Sequence, residues 1–380
     1  MKLIVTLYIL AVAINCSAVQ IEKESTSNNR KVINALNRLA GVTDPGIQYV
    51  VVNKDSVIFN RNVGLSKIEE NILLDSNDTM AAFSMTKILT AIAILQLVER
   101  NKISLDDKAS DYIEHPYNPE ISIRHLLSHT SGIPNPIPLK WVHLAKSHAN
   151  FDERAALIKV LQENPDLNSS PGEKYSYSNI GYWLLGKIIE KVSGKTYSDY
   201  VSKNIFEAVG LTSKEVSFLI EDENNHAKGY LKKWSLMNFF GRFFIDKDVL
   251  GEYERGWLHI KSVYLNGPSF GGAIGSATAF SRILQDLLSE QSKLIKGKTK
   301  QLLYSQQKTK SGKKIDMTLG WHIDKLNGAT YYYKEGGGAG FHCEMRIYPD
   351  SGLASVVMTN RTSFDSRKIL TELDMNFVTN

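Results

Sequence analysis

The amino-acid sequence predicts a mixed fold in which a sheet-and-helix domain, built from the N- and C-terminal thirds, carries an inserted helical domain. β-Branched runs on both sides of Asn53-Lys54-Asp55, from Gly46 to Leu65, read as a strand–turn–strand hairpin. Strand-like runs return only near the other end, at Thr330 to Lys334, His342 to Tyr348 and Leu353 to Thr359. Between these two groups the apolar spacing is helical.

In chain order, Lys2 and the apolar run Leu3 to Ile14 are too short to span a bilayer. They read as an export signal over residues 1–18, with cleavage after Ala18. Cys16 offers lipidation as the alternative, and hence a membrane tether, although Asn15 before it is larger than the small residue a lipidation box carries. Residues 19–36 are polar and read as a tether. The sheet-and-helix domain is expected over 37–110 and 266–380, and the insert over 111–265. After the hairpin, a polar loop leads to a helix carrying Ser84 and running to about Arg100. A short helix over Ile121 to His129 stops at Thr130-Ser131-Gly132-Ile133-Pro134. Helical patterns follow at Asp152 to Gln162, Ile180 to Val192, Tyr197 to Val209 and Ala277 to Ser289. The stretch from Trp234, with Phe239, Phe240, Phe243 and Phe244, is expected in the core or the wall of a cleft. A last helix runs from about Ser363 to Phe377.

The 380 residues are 43% hydrophobic and 22% charged, enough to bury a core without metals or disulfides. A net charge of +5 is too mild to imply nucleic acid, and the lysines between Lys293 and Lys314 read as a solvated face. With Cys16 in the signal, Cys343 is left without a partner and is expected to be structural. No segment after the signal is long and apolar enough to span a membrane. The chain is therefore expected outside the cytoplasm, periplasmic or extracellular, soluble or lipid-anchored.

Chemistry gathers in three places. In Ser84-Met85-Thr86-Lys87 a hydroxyl and an amine stand one helical turn apart, so the Lys87 amine can reach the Ser84 hydroxyl. A serine needs an adjacent base, and a lysine whose pKa is lowered by burial can be that base. Tyr177-Ser178-Asn179 lies in a loop just before a helix. A tyrosine beside an ammonium can have its pKa lowered and shuttle protons, and the Asn179 amide can orient Lys87 and bind a carbonyl. Lys334-Glu335-Gly336-Gly337-Gly338 follows a strand, and its glycines let a substrate oxyanion approach main-chain N–H groups.

The order and spacing of Ser-x-x-Lys, Tyr-x-Asn and a basic-x-Gly-Gly strand resemble the serine β-lactamase and penicillin-binding protein superfamily. The tyrosine version is similar to its class C β-lactamase branch, with D-alanyl-D-alanine carboxypeptidase and esterase relatives. Ile123 to Gly132, Tyr175 to Tyr182 and Gly271 to Ser276 also match its style, and the likeness covers about Asn37 to Asn360. It implies an α+β fold of β-lactamase/transpeptidase type: an antiparallel sheet flanked by helices, with an all-helical domain inserted. It further implies that Ser84 is acylated, and that Lys87 and Tyr177 share acid and base duties. Asn179 would order them, Lys334 would add positive potential, and the N–H groups of Ser84 and Gly337 would form the oxyanion hole. No cofactor or metal is implied.

Glu335 departs from the pattern, since relatives carry a small hydroxyl or small residue there that helps hold a substrate carboxylate. Unless Lys334 or Arg346 neutralises it, or it turns away, Glu335 repels such a carboxylate beside Gly336. The expectation is thus an exported serine hydrolase acting on a small-molecule, peptide or ester substrate, a peptidase or esterase rather than an efficient β-lactamase. The alternative is a non-catalytic module that binds a ligand or peptidoglycan. His125 and His129 have zinc-like spacing but no third ligand nearby, and are expected to pack or cap. The oligomeric state is not legible in the sequence.

Overall fold

The computed structural model describes residues 27–138, 140–233, 246–362 and 364–378. The expected export signal, Cys16, and the aromatic run containing Phe239, Phe240, Phe243 and Phe244 lie outside the described residues.

The chain opens with helix α1 over residues 27–39. It follows with strands β1 (Ile47–Asn53) and β2 (Val57–Val63), then returns to the same sheet with β3 (His322–Leu326), β4 (Ala329–Gly338), β5 (Phe341–Tyr348) and β6 (Leu353–Thr359). The strand order is β3-β4-β5-β6-β1-β2, and every neighbouring pair is antiparallel. Central β1 is apolar on both faces because both are covered. Ile47, Tyr49 and Val51 meet Val32 and Leu36 of α1, and Leu370 and Leu373 of the last helix, α6 of those named here (Ser366–Asp374). Val50 and Val52 face the main core, with α2 (Thr86–Glu99) and α5 (Ala277–Leu288). Between α2 and α5 lie α3 (Ile123–Leu127) and α4 (Asn179–Ser193).

Helix α2 is buried from Thr86 to Leu97, which explains why apolar residues occupy all its faces: it runs through the centre of the molecule. Helix α6 is fixed to the sheet by a buried polar network. Asp374 accepts from Tyr49 Oη at 2.7 Å, Tyr348 Oη at 2.6 Å and Ser355 Oγ at 2.8 Å. Arg346 donates to Glu344 at 2.6 Å, and Ser366 Oγ donates to the other oxygen of Glu344 at 2.9 Å. Every charge in it has a partner, so removing one would cost about 3–5 kcal/mol.

Several expectations need correction. Residues 27–36, expected as tether, belong to α1, because Val32, Ala35 and Leu36 form an apolar stripe that the sheet covers. The insert is not all-helical. It contains a small antiparallel sheet of Gly229–Lys232, Trp257–Ile260 and Leu250–Glu254, and a two-stranded ribbon pairing Val142–Leu144 with Val263–Leu265. The expected helix Tyr197 to Val209 breaks into three short turns of different pitch. The glycines 336–338 continue β4, and the turn falls at Ala339-Gly340. No helix among the described residues is long and apolar enough to cross a membrane.

Candidate active site

Ser84 sits in a single 3-10 turn, Phe83–Met85, that feeds directly into α2. Phe83 before it has φ +42°, a left-handed backbone that costs a side-chain-bearing residue about 1 kcal/mol. The sharp entry places the serine at the end of a buried helix and at the floor of a cleft.

Lys87, one turn on, is fully buried. Its Nζ lies 3.0 Å from Ser84 Oγ, and it donates to Asn179 Oδ1 at 2.8 Å and to the Phe270 carbonyl at 2.6 Å. Burial drives its pKa well down, with the nearby Lys334 charge adding to the effect. The Tyr177 hydroxyl is 2.8 Å from Ser84 Oγ. Its pKa is raised by burial, contrary to the lowering expected from a neighbouring ammonium. The physical reason is that burial removes solvation from charged forms, which disfavours both the phenolate and the ammonium.

The Tyr177 loop is braced by the segment after α3. Ser176 N donates to the His129 carbonyl at 2.7 Å, Ser178 N to His129 Nδ1 at 3.1 Å, and Asn179 N to Asn135 Oδ1 at 3.0 Å. The His129 ring packs on Tyr177 and Tyr182 with centroids 4.3 and 4.9 Å apart, and burial keeps it neutral. Ser178 caps α4 by accepting from Gly181 N, so Asn179 begins the helix in a fixed orientation. His125 instead caps α3, its Nδ1 accepting from Ser122 N. The two histidines therefore serve as cap and brace. Among the described residues no cluster of three or more His, Cys, Asp or Glu is placed to hold a metal.

Strand β4 supplies the opposite wall. Lys334 is fully buried, with Nζ 5.1 Å from the Tyr177 ring centroid and no hydrogen-bond partner among the described protein atoms. Burial lowers its pKa to about 7. A Cβ on Gly336 would stand 2.4 Å from the Ala82 carbonyl and 2.8 Å from Ser84 N, so only glycine lets β4 come this close to the nucleophile. Gly337 follows on the same strand and lines the same cleft as Ser84. Cys343, on β5, lies beneath: its thiol donates to the Ala82 carbonyl at 3.2 Å, which makes it a prop for this contact.

Glu335 lines the cleft mouth and is paired with a histidine. His342 Nε2 meets Glu335 Oε1 at 2.7 Å, reaching diagonally over the bare Gly337. Arg346 is committed to Glu344. The cleft, about 1100 Å³, is lined by Ser84, Tyr177, Asn179 and Glu335 to Gly338. Further lining comes from His322, His342 and a series of apolar side chains. The sequence thus pointed to Ser84, Lys87, Tyr177, Asn179, Lys334 and Gly337, and the fold brings all six together. It did not reveal His342 or His322, or the roles of His129 and the Phe270 carbonyl. Cross-strand pairing and tertiary packing bring these in, and no local pattern marks them.

Comparison with known proteins agrees with this geometry. The family model described as Beta-lactamase matches residues 37–377. Penicillin-binding protein 4* of Bacillus subtilis (strain 168) is 26% identical over 317 residues, covering 80% of this chain and 66% of its own length. Protein flp of Staphylococcus aureus (strain N315) is 27% identical over 192 residues, 49% of this chain and 38% of its own. The chain thus spans just under two thirds of the first relative and well under half of the second. In fold it is similar to an octameric penicillin-binding protein homologue from Pyrococcus abyssi, with TM-score 0.73, 21% identity, and 92% and 76% of the two chains covered. It is likewise similar to a class C beta-lactamase, with TM-score 0.70, 16% identity, and 94% and 97% covered. A match over nearly the whole folded chain, on a scaffold that carries the serine, lysine and tyrosine together, means that this protein belongs to the Beta-lactamase family.

Proposed function

We propose that the protein is a serine hydrolase that works through an acyl-enzyme on Ser84 and cleaves an ester or amide lacking a carboxylate beside the scissile bond. The observation that carries this reading is the hydrogen bonding of Lys87. A neutral amine has two N–H groups and one lone pair. Asn179 Oδ1 and the Phe270 carbonyl take the two N–H groups, which leaves the lone pair for the Ser84 hydroxyl proton. Burial lowers the Lys87 pKa well below the usual amine value, which favours the free amine that a base requires.

Ser84 Oγ then attacks the acyl carbon while its proton passes to Lys87 Nζ. The oxyanion is held by the N–H groups of Ser84 and Gly337. Collapse breaks the bond to the leaving group, which takes a proton from Tyr177 Oη. Burial suits that group to the work of a neutral acid. The Lys87 ammonium returns its proton to the Tyr177 phenolate, its neighbour across the Ser84 position. In the second half-reaction water attacks the acyl carbon and gives its proton to Lys87, and Lys87 passes a proton to Ser84 Oγ as the acid departs.

Glu335 sets the preference. Its carboxylate is 43% exposed in the cleft mouth and is engaged by His342. A substrate carboxylate placed there meets like charge, at a cost on the order of 1 kcal/mol. An activity screen of nitrocefin, short p-nitrophenyl esters and D-alanyl-D-alanine peptides, with Ser84→Ala alongside, tests the reading. Ester or peptide turnover lost in Ser84→Ala is expected, with slow acylation by a β-lactam that Glu335→Thr accelerates. Fast β-lactam acylation of the parent, unimproved by that change, would defeat the assignment to Glu335. A binding module without turnover is the second reading, supported by the same Glu335 departure, and Ser84-independent behaviour in every assay would favour it.

The proposal extends to location. Lys2 and the apolar run Leu3 to Ile14 support export. The intact mass of the protein from its native host is expected to lack residues 1–18 or to carry lipid on Cys16. A full-length, unmodified chain would contradict export.

A further inference from the structure

The cleft has two chemically different halves. Around Ser84 stand the hydroxyl, amide and imidazole groups already described. The other half is a wall of Leu231, Val249, Ile260, Val263 and Leu265. Leu231 and Ile260 are 5% and 4% exposed and pack with Ala339, at the turn that ends the catalytic strand β4. Val263 and Leu265 are only half-covered, so they present apolar surface to the open space. The wall is tied to the nucleophile's own scaffold. Tyr230 N donates to the Gly340 carbonyl at 3.1 Å, and a Cβ on Gly229 would stand 2.5 Å from the Ala339 carbonyl. This apolar surface is therefore held at a fixed distance from Ser84.

A polar substrate group laid on this wall would lose water and find no partner. An aliphatic chain would gain affinity with each methylene buried. The volume of about 1100 Å³ is also far more than a two-carbon acyl group needs. Resting on the hydrolase reading above, we propose that this half is an acyl-chain subsite and that the substrate is an ester or amide of a medium-length, straight-chain carboxylic acid. The chain lies on the acyl side because the leaving group must face Tyr177 Oη. The Tyr177 side chain stands among His129, Lys87 and Lys334, polar and ionisable groups that offer an aliphatic chain little apolar surface.

The test is a chain-length series of p-nitrophenyl acetate, butyrate, octanoate and laurate, run beside a series of alkyl acetates, with Ser84→Ala as control. The expected result is a rise in kcat/KM of at least about tenfold from acetate to octanoate, abolished in Ser84→Ala. Val263→Thr and Leu265→Asn are expected to lower the octanoate-to-acetate ratio at least about threefold. If either variant fails to fold, the parent series decides by itself. Ser84-dependent hydrolysis that is fastest on acetate overturns the subsite and leaves the hydrolase reading standing. A chain-length preference confined to the alcohol side overturns the acyl assignment. Absence of Ser84-dependent turnover on esters, peptides and β-lactams alike overturns the hydrolase reading and the subsite with it.

Discussion

At the scale of single residues, the proposed mechanism turns on two groups whose proton affinities burial moves in opposite directions. Burial pushes Lys87 toward the free amine and Tyr177 toward the neutral phenol, the forms that the proposed base and acid require. Asn179 is neutral and accepts one Lys87 proton, so it orients the amine without favouring its charged form. Asn179→Asp replaces that acceptor by a carboxylate, which stabilises the ammonium and raises the Lys87 pKa. The base form is then reached only at higher pH. The acid limb of the kcat/KM profile is expected to move up by about one unit or more, with about tenfold loss at neutral pH. An unchanged acid limb would show that Lys87 is not the titrating base. Glu335 is a residue whose identity, but not whose partner, was legible in the sequence. The partner, His342, sits across the hairpin and is brought near by register alone.

At the scale of elements, the site is made by three segments that each end or begin at the cleft: the start of α2, the loop before α4 and the last third of β4. The motif residues were readable because each lies within a few positions of the others in its own segment. The braces were not. The run from His129 to Asn135 holds the Tyr177 loop by four hydrogen bonds, yet it resembles an ordinary helix stop in sequence. The strands of the small sheet were missed because they are short and separated by polar turns, so tertiary pairing rather than local alternation defines them. Edge strand β3, His322–Leu326, was missed for a related reason: Asp324 and Lys325 break its apolar pattern, as suits an exposed edge. One close contact between elements is that of β4 against the turn carrying Ser84. Gly336→Ala would drive a methyl group into the Ala82 carbonyl and Ser84 N, pushing the strand off the oxyanion position. Acylation is expected to slow about 100-fold or more while far-UV circular dichroism stays unchanged. Parent-like acylation would mean that β4 does not help to form the oxyanion hole.

At the scale of the whole molecule, the sheet is assembled from the two ends of the chain, and the candidate catalytic residues come from positions 84 to 334. Ser84, Lys87, Tyr177 and Asn179 lie within hydrogen-bonding reach of one another, and Lys334 stands over the Tyr177 ring. That long-range closure explains why the fold class was legible and the domain texture less so. Strands grouped at both ends of a sequence leave few ways to bury their apolar faces. The stretch from 111 to 265 has weaker patterns, and its helices and short sheets are decided by what they pack against. The N-terminal helix shows the same logic, since its polar composition hides the stripe of Val32, Ala35 and Leu36 that the sheet requires. The central claim, that this scaffold exists to make Ser84 a nucleophile, is tested most directly by intact-protein mass spectrometry after exposure to a fluorophosphonate. One adduct per chain, mapped to Ser84 and absent from folded Ser84→Ala, is the predicted result. A parent chain that stays unlabelled, or labelling that persists in Ser84→Ala, would contradict it.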